Sequence, residues 1–154
     1  MPSSSHGICA TAAMWLTCIR LNRLKPLKVN AIAPNAAASL AVDGDVWIVT
    51  TAGDVMRYRR LTTSFTATRV DFTPRWTEPV KPVAIQAIDV QRSIYFLDAS
   101  GKKVIQMGRD GRELARFILP PTLPPPSAFY VSEGGRAIYS LHGSKIVVTE
   151  LTSR

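Results

Sequence analysis

The sequence predicts an all-β fold assembled from repeated four-stranded antiparallel sheets, and three observations carry that prediction. A strand-turn-strand pattern in residues 39–58 returns in residues 87–106. Leu40 matches Ile88, Val42 matches Val90, Val46 matches Ile94, Trp47 matches Tyr95, Ile48 matches Phe96 and Gly53 matches Gly101, each pair 48 residues apart. From about residue 36 onward, apolar and polar positions alternate as in half-buried strands, with Gly, Asp, Asn and Ser at the breaks. The prolines cluster between the strand groups, where no ladder donor is lost: Pro74, Pro79 and Pro82 in one connection, Pro120, Pro121, Pro124, Pro125 and Pro126 in the next. A period of roughly 40–50 residues built from short strands is that of propeller blades.

Residues 1–35 stand apart from the repeats. The run Ile8 to Ile19 is mostly apolar or small, and is too short to span a bilayer. No Lys or Arg precedes it, and Arg20, Arg23, Lys25 and Lys28 follow, the reverse of the charge order of a secretion signal. A short helix broken before Pro26, or an irregular start, is expected there. Cys9 and Cys18 lie in the same stretch. They have no further Cys or His at ligand spacing, so a zinc site is not indicated, and a straight helix would keep them from pairing.

The repeat domain is expected over residues 36–154, with blades near 36–73, 84–119 and 127–151. The first blade reads as strands near 38–42, 46–51, 54–60 and 64–72, turning at Asp43-Gly44-Asp45 and Ala52-Gly53-Asp54. The second reads as 84–90, 93–98, 103–108 and 112–118, with turns at Ser100-Gly101 and Asp110-Gly111. The third reads as 127–132, 136–141 and 144–150, without a fourth strand. In each blade the second strand is the most apolar, as a strand buried on both faces would be. Trp47, Tyr95 and Tyr139 occupy its matching position and are expected to pack between blades.

Residues Ser93–Phe117 resemble a blade of the NHL-type six-bladed propellers, with Asp98, Gly101, Lys103, Val104, Gly111 and Phe117 on that family's pattern. The first copy carries Val49-Thr50 where Leu97-Asp98 stand, and the third carries Leu141-His142. The chain also resembles the propeller regions that trail bacterial phosphatase-like and membrane-anchored multidomain proteins. That resemblance implies a sensor or scaffold, with membrane attachment only through a region upstream.

The bulk numbers narrow the function classes. A hydrophobic content of 46% excludes a disordered tail. The net charge of +8 permits binding to anionic partners, but no basic run is interleaved with stacking aromatics, so nucleic acid is disfavoured. No nucleophile elbow, phosphate loop or metal-ligand spacing is present. The polar candidates are His142, Asp98, Asp43, Asp89 and Glu133. His142 is expected in solvent at a turn and Asp98 is expected to cap one. The sequence Asp43-Gly-Asp-Val-Trp47 resembles blades of streptogramin lyases, which implies a metal-dependent hydrolase or lyase as the alternative, with His142 and Asp98 as its residues.

The main expectation is a non-catalytic binding or scaffolding module without cofactor. Its contact loop is Arg109, Asp110 and Arg112, and its partner is a protein or a second copy of the chain. A cytoplasmic and an extracytoplasmic location are equally compatible. Three blades are fewer than the roughly four to eight of a closed propeller. The chain is therefore half of a ring completed by a second copy, part of a longer product, or an open arc.

Overall fold

The computed structural model describes residues 8–12, 15–20, 23–29, 36–60 and 66–151. Every regular element among them is a strand: β1 Ile8–Ala12, β2 Trp15–Arg20, β3 Arg23–Val29, β4 Ala37–Val42, β5 Asp45–Thr50, β6 Val55–Arg60, β7 Thr66–Val70, β8 Ala84–Ile88, β9 Ser93–Asp98, β10 Lys103–Gly108, β11 Glu113–Ile118, β12 Ala128–Val131, β13 Ala137–His142 and β14 Lys145–Glu150. They form three sheets, ordered β1-β2-β3-β7-β6-β5-β4, β11-β10-β9-β8 and β12-β13-β14. From β4 onward, each sheet runs its strands in chain order as an antiparallel meander. The fold is all-β and propeller-type, and the sheets do not close into a ring.

One expectation is corrected at the N-terminus. The stretch expected to be helical or irregular is a three-stranded meander, and β3 joins the first blade by parallel pairing of Lys28 with Thr66 and Val29 with Ala67. The first sheet therefore has seven strands instead of four. Cys9 and Cys18 are register partners across β1 and β2. His6 and the start of the expected strand at 64–65 lie outside the described residues.

Packing follows from the strand pattern. Trp47, Val49 and Val55 of the first sheet meet Ile85, Ile94, Phe96 and Met107 of the second, all buried. Phe72 and Trp76, in the connection between blades, close this layer edge-on against Trp47 and Phe96, with ring centroids 5.0 and 5.3 Å apart. The other face of the second sheet carries Tyr95, Leu97 and Val104, which pack on Val131 and Ile138 of the third. Strands β5 and β9 are buried at every residue, as expected of inner blade strands. Strand β13 departs from this, because Ile138, Ser140 and His142 are buried whereas Tyr139 is 40% exposed.

Turns hold the ends of the strands in place. Gly111 has φ +81°, and a Cβ there would lie 2.5 Å from the Thr73 carbonyl oxygen, so only glycine lets the β10–β11 turn lie against the first connection. The amide of Arg75 donates to the Gly111 carbonyl at 2.8 Å and completes that junction.

Candidate functional site

The β4–β5, β8–β9, β10–β11 and β12–β13 turns lie at one end of the strands, because consecutive meander strands reverse direction. Their side chains form a charged rim across all three blades. Arg109 is its central residue. It leaves the β10–β11 turn and donates through Nη2 to Asp43 Oδ2 at 2.7 Å, to the Asp43 carbonyl at 3.2 Å and to Asp89 Oδ1 at 2.7 Å. One guanidinium thus joins the first turns of the first and second blades. The Asp43 side chain is 1% exposed and that of Asp89 is 75% exposed, so the buried carboxylate depends on Arg109 for its countercharge. Asp43 Oδ1 also accepts from Trp47 Nε1 at 2.8 Å. The Asp43-to-Trp47 spacing thus closes a turn over the indole.

A second layer of charge sits behind the first. Arg57 on β6 donates through Nε to Asp45 Oδ2 at 2.7 Å, and its guanidinium lies 4.8 Å over the Trp47 ring. Arg57 Nη1 reaches the Arg109 carbonyl at 3.4 Å. The third blade is tied in by amide side chains. Gln91 Nε2 donates to the Glu133 carbonyl at 2.9 Å, and Gln91 Oε1 accepts from the Tyr95 hydroxyl at 2.8 Å. Burial pushes the Tyr95 phenol up, so it stays a neutral donor. Gln86 donates to the Val131 carbonyl at 2.8 Å and accepts from the Val131 amide at 2.7 Å.

At the edge of the second blade, Glu113 accepts from the Thr77 amide and hydroxyl, each at 2.9 Å, and from Arg116 Nε and Nη2, each at 2.9 Å. The hydrogen bonds from Arg116, then those from Thr77, hold its carboxyl down at about 2 against the opposing effect of burial.

The structure distributes the expected site residues unevenly. Arg109, Asp110 and Arg112 do share one turn, but Arg109 is held inward while Asp110 and Arg112 face solvent, with Arg75 beside Asp110. Asp98 accepts from the Gly101 amide at 3.0 Å and the Ser100 hydroxyl at 2.8 Å, the geometry of a turn cap. His142 is corrected: it is 2% exposed, with Nδ1 2.7 Å from the Pro124 carbonyl and Nε2 2.9 Å from Ser140 Oγ. With Nδ1 donating, Nε2 accepts from the Ser140 hydroxyl, and both ring nitrogens are engaged. No hydrogen bond or ion pair joins His142 to Asp98, and among the described residues no group of three or more His, Cys, Asp or Glu could hold a metal ion. Sequence reasoning missed Arg57, Gln86 and Gln91. Their only signal was polarity at strand or turn positions, which many solvent-facing residues share.

No protein-family model matches the chain, and no curated protein matches it. Solved structures do. A gluconolactonase of Xanthomonas campestris is similar with a TM-score of 0.66 and 13% identity, over 92% of this chain and 46% of that one. The nidogen/laminin complex is similar with a TM-score of 0.62 and 15% identity, over 94% and 57%. Virginiamycin B lyase of Staphylococcus aureus is similar with a TM-score of 0.50 and 13% identity, over 92% and 50%. These neighbours are β-propeller proteins, and at such identities the likeness shows the fold. The chain spans about half the length of each.

Proposed function

We propose that the chain is a binding or scaffolding module of NHL-type blades that works without catalysis, engaging a protein partner through the charged rim. The observation that supports this reading is the use of Arg109. Its contacts to Asp43 and Asp89 fuse separate turns into one continuous surface and leave Arg59, Arg75, Arg92, Arg112 and Arg136 in solvent there. Exposed arginines in excess fit a partner surface rich in Asp and Glu. The Asp98 cap fits the NHL-type blade signature, in which that position turns the chain into the third strand.

The test is quantitative cross-linking of the tagged full chain in its native cells, beside an Arg75→Glu, Arg112→Glu variant. Proteins recovered with the wild type should fall at least tenfold with the variant, and equal recovery from both would overturn the proposal.

A second reading is a hydrolase or lyase, and the solved neighbours named for gluconolactonase and lyase activity favour it. Its test is lactone hydrolysis by the purified chain with and without divalent metal. A rate above buffer that EDTA abolishes and that Asp98→Asn or His142→Gln reduces at least tenfold would replace the binding proposal.

A further inference from the structure

Cys9 and Cys18 are the two cysteines of the chain, and the N-terminal meander seats them opposite each other. The helix expected for this stretch would have held them apart, whereas β1 and β2 make them one register pair. Their place in the ladder follows from the hairpin. Ala12 pairs with Trp15, so two residues connect the strands, and a two-residue turn closes on a hydrogen-bonded pair. Bonded and non-bonded pairs alternate from there. Counting back, Thr11 with Leu16 is the first non-bonded pair and Cys9 with Cys18 is the second. Residues opposite each other at such a pair share one face of the sheet, with Cα atoms about 4.5 Å apart. A disulfide spans roughly 4.4–6.8 Å between Cα atoms, so this backbone can accept one without rearranging.

We infer that Cys9 and Cys18 form a redox modification site, oxidised to an intrachain disulfide by a low-molecular-weight disulfide such as oxidised glutathione. The thiolate of one cysteine attacks a sulfur of the oxidant, forming a mixed disulfide and releasing one small thiol. The second cysteine thiolate attacks the protein sulfur of that mixed disulfide and releases the other small thiol. Two protein thiols thus give up two electrons and two protons, and the oxidant is reduced to two thiols.

Position gives the bond its effect. Strand β1 is outermost in the seven-stranded sheet, with β2 as its neighbour, and the meander joins the first blade through the pairs of Lys28 with Thr66 and Val29 with Ala67. A covalent link from β1 to β2 holds that edge strand in place without help from the blade. The site is separate from the arginine rim, and its test does not involve the rim's partner.

Equilibration of the purified full chain with reduced and oxidised glutathione, in native buffer and in urea, tests the inference. The free thiols should fall from two to none, with loss of two hydrogen masses and no bound glutathione. Cleavage after Trp15, between the cysteines, should leave the fragments joined until a reductant is added. The equilibrium constant for the linked form should be at least tenfold higher in native buffer than in urea, where only the short loop favours closure. Cys9→Ser with Ala10→Cys shifts one thiol to the opposite face of β1 at nearly the same loop length. It should abolish the native advantage and leave the constant in urea unchanged, with circular dichroism confirming the fold. The wild-type comparison of native buffer with urea decides alone if that variant is not folded. Stable glutathione adducts, links between chains, equal constants in native buffer and urea, or a native advantage that survives the shift in a folded variant would overturn the inference.

Discussion

The rim depends on a single arginine. Asp43 is sealed under the turn with one oxygen on the Trp47 indole and the other on Arg109, whose own side chain is 26% exposed. Removing the cation strands a buried carboxylate, which costs far more than the pair itself contributes. Arg109→Met is therefore expected to lower unfolding free energy by about 3 kcal/mol. Adding Asp43→Asn should recover a good part of it, because the neutral amide no longer needs a countercharge. Urea denaturation of both single variants and the double variant checks this. Additive losses would mean that Arg109 acts through its packing and not through its charge. The ion pair was not legible in the sequence, although both residues were candidates. They are 66 positions apart, and only the approach of two blades makes them neighbours. His142 was misread for the same reason. Its neighbours Leu141 and Gly143 suggest a turn, whereas its burial follows from the Pro124 carbonyl carried in by the proline-rich connection.

At the scale of the elements, the first connection is clamped onto β11 by Glu113, with Thr77 on one side and Arg116 on the other. The sign of the pH dependence follows from the carboxyl being depressed from 4.5 to about 2. The folded state binds this proton less readily than the unfolded chain. Its stabilisation is complete above the unfolded value and is lost as pH falls from about 4.5 to about 2. Arg116 also pairs with Glu78, whose side chain is 61% exposed, so solvent screens part of the network and the loss is about 1 kcal/mol rather than the full shift. Melting temperature against pH should therefore fall less steeply for Glu113→Gln than for the wild type between pH 4.5 and 2. Parallel curves would show that other carboxylates govern the acid limb. The strands themselves were legible: those from β4 onward lie within two residues of their expected bounds, because period-two alternation and Gly or Asp at the turns are local signals. The first three strands were not, since apolar and small residues in 8–19 suit a short helix and a strand alike.

For the whole molecule, stability is a chain of sheet-to-sheet interfaces, each sheet meeting its neighbours in sequence. The interface between the second and third sheets is pinned by the two reciprocal bonds between Gln86 and Val131. Gln86→Ala removes both and leaves the backbone groups of Val131 unpaired at a buried residue, a loss of roughly 1–3 kcal/mol. Amide hydrogen exchange should accelerate about tenfold or more in β12, β13 and β14 while β8–β10 keep their protection. Uniform acceleration would mean that the three sheets open as one unit.

The amino-acid sequence by itself determined the strand pattern, the turns and the period of 48. These depend on backbone geometry and on which side of a pleat each residue occupies. The tertiary structure alone decided which faces are covered and which charges are paired. Trp47, Tyr95 and Tyr139 are equivalent as residues, yet two are buried and one is half-exposed. Burial is set by what lies across the interface, and that partner is contributed by chain far away in sequence or by another molecule.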